Sequence, residues 1–350
     1  MSVVKLARPE IQALKPYQAA EQVADTVRLN ANEASWTNGA DHFRRPLNRY
    51  PEVRPWRLRE ALAARFDCQP ERLIVTRGTS EAIDLLMRAF CRAGEDNIVT
   101  TAPTFSMYRH YATIQNAGIR EVVTSADTDF AIDADALLDA CDERSRLVFV
   151  CSPNNPTGAT IDRDSLVHLL ERRGGRSVIV VDEAYGEFST EASAVELLDS
   201  YDNLVVLRTL SKALAFAGAR CGGALGAVEL ITLLDAIQAP YAMPTPVVEC
   251  VEDALGDVWL AEAERRVADV VTERNRVSTA LAEMPIVTRV WPSQANFLLV
   301  AVADVERVLD RCRQDGVLLR YFGGDLADCV RISVGSADEN DRLLDSLGKV

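Results

Sequence analysis

Continuous runs of aliphatic and β-branched residues punctuate the middle of the chain. RLIVT (72–76), NIVTT (97–101), RLVFVCSP (146–153), SVIVVDEAY (177–185) and NLVVLRTL (203–210) are mostly apolar and pass into polar residues at their ends. Strands buried on both faces of a parallel sheet have this look, because neither face meets water. Between the first two runs, SEAIDLLMRAFCRAG (80–94) places Ile83, Leu86, Met87 and Phe90 at helical spacing and closes on a glycine, which predicts an amphipathic helix. Alternation of strands and helices predicts an α/β fold with a mostly parallel central sheet and helices on both faces.

The pattern changes after APYAMPTPVVE. Residues 247–284 read as charged helix with an interruption at Gly256-Asp257. Short strands follow at NFLLVAV (296–302), GVLLRYF (316–322) and CVRISVG (329–335), with a helix between the first two and another at the end. This predicts a smaller α+β domain over 246–350, a large domain over 31–245 and an N-terminal arm over 1–30 that packs with the small domain. A length of 350 residues fits about two domains.

Charge and cysteine usage narrow the partners. The formal net charge is −14, which disfavours nucleic acid or an anionic membrane as a general partner. A small anionic substrate stays possible wherever arginines gather. No apolar stretch is long enough to span a bilayer, and the first residues lack the apolar run of a signal peptide. The eight cysteines are scattered, with no C-x-x-C pair, as expected of reduced thiols in a cytoplasmic protein. His42, His110 and His168 lie far apart and suggest no metal motif.

In open α/β sheets ligands sit at the carboxyl ends of the strands. Gly78, Thr79 and Ser80 follow the first run and open a helix, a natural seat for an anion. Asn154, Asn155 and Gly158 follow the third, Asp182 and Tyr185 end the fourth, and Thr209, Ser211 and Lys212 end the fifth. Each feature alone has an ordinary explanation: a helix cap, a turn, a surface acid, a solvated lysine. Together they put an anion seat, an amide, a carboxylate, a phenol and an amine at one sheet edge. Pyridoxal 5′-phosphate (PLP) wants this set. Its aldehyde takes a lysine as a Schiff base, its ring nitrogen takes an aspartate, and its phosphate takes the anion seat. Arg220 adds a guanidinium, which binds phosphate bidentately. No G-x-G-x-x-G follows a strand, which disfavours a nicotinamide enzyme.

TLSKALAFAGAR, CSPNNPTG, VDEAY and RGTSEAIDLL resemble, in their order, the motifs of class II aminotransferases of PLP fold type I. LNANE (29–33), NRYPE (48–52), PTFSMY (103–108), GVLLR and VRISVG extend the resemblance to the histidinol-phosphate aminotransferase family over nearly the whole chain. The resemblance implies that Lys212 is the Schiff-base lysine and the acid/base group. Asp182 would hold the pyridinium nitrogen, Asn155 and Tyr185 the phenolic oxygen, and Tyr108 would stack on the ring. Gly78, Thr79, Ser80, Thr209, Ser211 and Arg220 would bind the phosphate. Tyr50 would reach the cofactor of the neighbouring subunit in a homodimer. Arg331 and Arg320 would take the anionic groups of histidinol phosphate and of glutamate or 2-oxoglutarate, with Tyr17 and Asn32 closing over the substrate. The reaction implied is amino transfer between L-histidinol phosphate and 2-oxoglutarate. The alternatives are an aromatic amino-acid aminotransferase, a PLP-dependent decarboxylase of a phosphorylated amino acid, and a ligand-sensing regulator. Relatives carry prolines where this chain has NEASWTNGADHF, with Ala34 and Ser35 near the substrate mouth.

Overall fold

The computed structural model of the chain describes residues 3–23 and 26–350; positions 1, 2, 24 and 25 of the expected arm lie outside the described residues. The strands are β1 Leu73–Thr76, β2 Asn97–Ala102, β3 Gly118–Val123, β4 Ser145–Cys151, β5 Val178–Asp182, β6 Leu204–Thr209, β7 Gly222–Gly226, β8 Val287–Val290, β9 Phe297–Val302, β10 Arg320–Gly323 and β11 Leu326–Ser333. The α-helices are α1 Pro9–Gln12, α2 Trp56–Arg65, α3 Thr79–Phe90, α4 Met107–Gln115, α5 Ala134–Ala140, α6 Arg163–Arg173, α7 Val228–Ile237, α8 Thr245–Ala254, α9 Asp257–Ala282, α10 Val305–Gln314 and α11 Ala337–Leu347.

A seven-stranded sheet runs in the order β1-β7-β6-β5-β4-β2-β3. β7 lies antiparallel to both β1 and β6, and the other pairings are parallel. Alternation along each strand divides the apolar side chains between two cores. Val148, Val150, Ile179, Val181 and Val206 face one layer with Leu58 and Leu62 of α2. Leu147, Phe149, Val178, Val180 and Leu207 face the other with Ile83 and Leu86 of α3. This is why β1, β2, β4, β5 and β6 read as mostly apolar runs, being covered on both faces, whereas edge strand β3 is largely exposed. This is the expected α/β arrangement, a mostly parallel central sheet with helices on both faces. A second, antiparallel sheet in the order β10-β11-β9-β8 packs Leu298, Val300 and Ile332 against Val277, Leu281, Leu343 and Leu347 of α9 and α11.

Two boundary expectations are corrected. Val3 and Ala7 are buried in the same core as Ile83 and Leu230 of the large domain, and the Arg8 N–H donates to the Ala89 carbonyl at 2.9 Å. The first turns therefore pack on the large domain rather than the small one, because their few apolar side chains fill the gap between α3 and α7. The domain division also falls later than residue 246. Val248 and Val251 of α8 belong to a large-domain core. Along α9, Leu260, Ala263, Val267, Val270 and Val271 pack against that core, whereas Val277 and Leu281 enter the small-domain one. The change of domain occurs inside this single helix, after the break at Gly256.

The sheet of the small domain closes on the large one along a seam. Trp291 and Leu299 share a cluster with Phe130, the Trp291 indole donates to the Ala126 carbonyl at 3.2 Å, and Arg289 pairs with Asp129 at 2.7 Å. No helix among the described residues is long and apolar enough to cross a membrane.

β7 has the sequence GGALG and carries no strand signature. Its glycines are required by close approach. A Cβ on Gly222 would lie 2.5 Å from the Arg208 carbonyl oxygen and 3.3 Å from Cα of Gly78. Gly222→Ala is expected to push β7 off the ends of β6 and β1 and to destabilise the protein by about 1–3 kcal/mol. Urea unfolding of the two proteins checks this, and equal midpoints would contradict it.

Candidate active site

The strand ends meet as foreseen at one cavity of about 140 Å³. Thr79, Ser80, Phe105, Cys151, Asn155, Asp182, Ala184, Tyr185, Thr209, Ser211, Lys212, Ala217 and Arg220 line it. A larger open hollow of about 450 Å³ beside the same loop is walled by Leu214, Phe216, Ala254 and Trp259. It lacks the set of amine, buried carboxylate, phenol and hydroxyls, so the smaller cavity is the candidate site.

Asp182 ends β5 at 1% exposure. Its Oδ2 accepts from the Tyr108 hydroxyl at 2.9 Å, and its Oδ1 accepts from the Ala184 N–H at 3.2 Å. Burial pushes its pKa from 3.8 up to about 6, against the pull of those bonds and of Lys212. It stands in the cavity wall and, among the described residues, forms no salt bridge. Such a carboxylate is suited to a ligand that brings its own positive charge.

Lys212 follows the end of β6 on the loop closed by Arg220. Much of its side chain is open to solvent, and its Nζ lies 5.6 Å from the centre of the Tyr185 ring. Partial burial, then the charges of Arg331 and Arg220, push its pKa below the ordinary lysine value, while Asp182 pulls the other way. A lysine so placed sheds its proton more readily and becomes nucleophilic. Tyr185 is buried, which raises its phenol pKa, and its ring stands edge-on to Phe297 at 5.1 Å.

The anion seat forms where β1, β6 and β7 end. Gly78 caps α3 at φ 75°, and a Cβ there would lie 2.6 Å from Arg220 Nη2. Only glycine suits that backbone and lets the guanidinium approach. Thr79 and Ser80 follow on the first turn. The Thr209 hydroxyl donates to Ser211 Oγ at 2.9 Å, and Arg220 Nη1 donates to Ser211 Oγ at 3.3 Å. The other bonds of Arg220 go to the carbonyls of Ala217 and Arg77, so among the described residues its charge is not neutralised.

Tyr108 is placed differently from expectation. Tyr108 is fully buried, stacked on Phe149 with centroids 4.7 Å apart, and does not line the cavity. It supports Asp182 from behind and is not placed to stack on a ring in the cavity. Phe105, three residues earlier in PTFSMY and edge-on to Tyr108 at 5.7 Å, is the aromatic at the wall. Tyr17, Tyr50 and Asn32 are exposed and stand apart from this cavity's wall. Tyr50 stacks on Tyr241 at 4.7 Å, and Tyr17 meets the same ring at 6.4 Å. Cys151, also at the wall, was not singled out as a site residue; burial raises its thiol pKa strongly.

The small domain supplies Arg331. Its Nη1 donates to Asn155 Oδ1, and its guanidinium lies over the rings of Phe297 at 5.1 Å and Phe322 at 5.6 Å. Its Nε is buried without a partner, and burial lowers its pKa. With the Asn155 oxygen turned to Arg331, the amide NH2 is the end left for an oxygen in the cavity. Arg320 pairs in register with Arg331 across β10 and β11 and lies exposed over Phe322 at 5.2 Å.

The sequence matches the family Aminotransferase class I and II over residues 17–347. It is 44% identical over 352 residues to a histidinol-phosphate aminotransferase of Xanthomonas euvesicatoria pv. vesicatoria (strain 85-10), covering 99% of this chain and 97% of the relative. It is 43% identical to that of Xylella fastidiosa (strain 9a5c), covering 98% and 95%. The chain belongs to the histidinol-phosphate aminotransferase family. It is a PLP-dependent transaminase. Among solved structures, a putative aminotransferase of Burkholderia pseudomallei is similar at TM-score 0.71 and 28% identity, covering 87% of this chain and 89% of that one. The histidinol-phosphate aminotransferase of Sinorhizobium meliloti in complex with pyridoxal-5′-phosphate shares the fold at TM-score 0.78 and 23% identity, covering 87% and 83%.

The cavity's residues fit that cofactor. Asp182 offers a buried carboxylate for a ring nitrogen, Lys212 an amine of lowered pKa for an aldehyde, and Arg220 with its hydroxyl neighbours an unneutralised seat for a phosphate.

Cofactor-free aminotransferase should show the Asp182 shift as a pH-dependent stability. The folded carboxyl holds its proton up to about pH 6, the unfolded one only to 3.8. The protonated group's contribution is thus complete below 3.8 and is lost as pH rises through 6. The stability of apo wild type relative to apo Asp182→Asn should fall across that window. Thermal melts at pH 4 and pH 7 check this, and a gap independent of pH would contradict it. Tyr108→Phe removes one bond to the carboxylate and should weaken PLP binding, read by absorbance titration of the apo protein; unchanged affinity would detach Tyr108 from the site.

Proposed function

We propose that the enzyme interconverts L-histidinol phosphate and 2-oxoglutarate with 3-(imidazol-4-yl)-2-oxopropyl phosphate and L-glutamate, in histidine biosynthesis. The observation that carries this reading is Arg331, a half-buried guanidinium in contact with Asn155 of the cavity wall that lacks a carboxylate partner among the described residues and has a second arginine in register beside it. Two guanidiniums match a phosphate dianion, and by turns the carboxylates of glutamate. The names of the relatives at 43–44% identity point the same way.

Bound PLP supplies the electron sink for charge that builds on the substrate α-carbon. Lys212 would hold the cofactor at its aldehyde carbon and would be the group that carries a proton to and from the substrate α-carbon. Asp182, fixed by Tyr108, would keep the proton on the ring nitrogen. The Tyr185 hydroxyl and the Asn155 amide would donate to the phenolic oxygen, and Phe105 would be the aromatic beside the ring. Gly78, Thr79, Ser80, Thr209, Ser211 and Arg220 hold the phosphate. Arg331 and Arg320 orient the substrate's anionic end.

The enzyme works as a cytoplasmic homodimer in this reading. The aromatic cluster of exposed Tyr17 and Tyr50 with half-buried Tyr241 stands apart from its own chain's cavity. A second copy would receive it, with Tyr50 at the partner's cofactor phosphate and Tyr17 and Asn32 closing over the substrate.

Mixing the PLP-loaded enzyme with L-histidinol phosphate, without keto acid, should convert the cofactor absorbance to that of pyridoxamine phosphate at low substrate concentration. Conversion by L-phenylalanine or L-tyrosine alone would replace this reading with an aromatic aminotransferase, and release of carbon dioxide from a phosphorylated amino acid with a decarboxylase. Arg331→Met should raise KM for histidinol phosphate on the order of 10- to 100-fold through lost charge-assisted bonds. An unchanged KM would take Arg331 out of the substrate site.

A further inference from the structure

Behind the strand ends that carry Asp182 and Lys212 lies a buried ionic cluster that the chemistry above does not use. Strand alternation turns Thr209 into the active-site cavity and its neighbour Arg208 toward a separate hollow of about 240 Å³ on the far side. Glu183, the residue after Asp182, lines the same hollow. Arg208 Nη1 donates to Glu183 Oε2 at 2.8 Å, and its Nη2 donates to Glu187 Oε1 at 2.7 Å. All three side chains are less than a tenth exposed. Glu183 also accepts from the Ser193 hydroxyl at Oε2 and from the Ala194 N–H at Oε1, each at 2.6 Å, and its own N–H donates to the Leu207 carbonyl at 3.0 Å.

One guanidinium thus joins three segments, and each segment carries a cavity residue close by. Asp182 adjoins Glu183. Tyr185 precedes Glu187 by two positions. Thr209 adjoins Arg208, with Ser211 and Lys212 following.

Stability alone does not account for the cluster. Taking three ions out of water is costly, and replacing such groups by packed apolar side chains is often neutral or stabilising. Arg208 Nε and Glu187 Oε2 are buried without partners, a further cost. What paired charges supply, and an apolar contact does not, is a fixed distance and direction between the segments that bear them.

We propose that Arg208 is a positioning residue. Its bonds to Glu183 and Glu187 set the spacing of the Asp182 strand end, the Tyr185 turn and the Lys212 loop, so that carboxylate, phenol and amine meet one bound ring in a single geometry. Arg208 acts through the backbone and touches neither cofactor nor substrate. The inference rests on reading the cavity as the PLP site.

Three variants test it. Arg208→Lys keeps the charge but loses the fork that reaches two carboxylates. Glu187→Ala cuts one tether and leaves the Arg208–Glu183 pair balanced. Glu187→Gln keeps an accepting oxygen for Arg208. The readouts are the PLP dissociation constant of the apo protein, the visible circular dichroism per bound cofactor, and kcat and KM. Arg208→Lys and Glu187→Ala should bind PLP about tenfold more weakly or worse. They should also change the dichroism and lose kcat on the order of 100-fold with little change in the KM for L-glutamate. Glu187→Gln should stay near wild type. If Arg208→Lys does not fold, Glu187→Ala against Glu187→Gln decides. Lowered melting temperatures with unchanged PLP affinity, dichroism and kcat would overturn the inference. Borohydride reduction of the wild-type holoenzyme separates the two failures. A pyridoxyl group on Lys212 alongside unaffected variants sinks the inference alone, and its absence from Lys212 sinks the site reading and the inference together.

Discussion

Asp182 is a carboxylate kept inside the end of a dry parallel sheet, and the large domain is organised around making that tolerable. An ionised group there loses its water, which is why its pKa rises to about 6. Tyr108 reaches it from a helix on one face, the Ala184 N–H caps it from the chain that follows, and Lys212 stands across the cavity. None of these neutralises it fully. The remaining deficit is what a positively charged ring nitrogen would meet, so the cost of burial becomes selectivity for the cofactor. The central placement of β5, with parallel neighbours on both sides, keeps water out and holds the group still.

Much of this was legible in the residues. Runs such as SVIVVD and NLVVLRT announce buried strands because both faces are covered, and their polar ends mark the ligand edge. Lys212, Asp182, Asn155, Arg220 and the Gly78 turn converge on the cavity because strand order in an α/β sheet brings successive carboxyl ends together. Hidden from the sequence was whatever depends on close approach or on direction. β7 is glycine where a strand signal calls for branched side chains, since its backbone runs against β6 and the Gly78 turn. The exchange of roles between Phe105 and Tyr108 depends on which way two aromatics on one short segment face. Arg208 and Glu187 look like surface charges in a string of letters; only the packing shows them sealed together.

The N-terminal turns and α9 teach a related lesson. Val3 and Ala7 are too few to form an apolar pattern, yet they fill a notch in the large-domain core. The periodicity of α9 continues through the domain change without a mark, because a helix has the same 3.6-residue repeat whichever core it faces. A boundary inside a helix leaves no turn residue to find.

The active site draws on two sheets for separate purposes. Every group facing the proposed ring comes from the seven-stranded sheet and its loops, whereas Arg331 and Arg320 come from two adjacent strands of the other. They meet through the contact of Arg331 with Asn155. On the proposed reading, what the enzyme accepts is set on one hairpin, β10–β11, apart from the groups that handle the proton. A fold divided in this way is a ready source of new catalysts, since ligand choice can drift while the reaction itself is conserved.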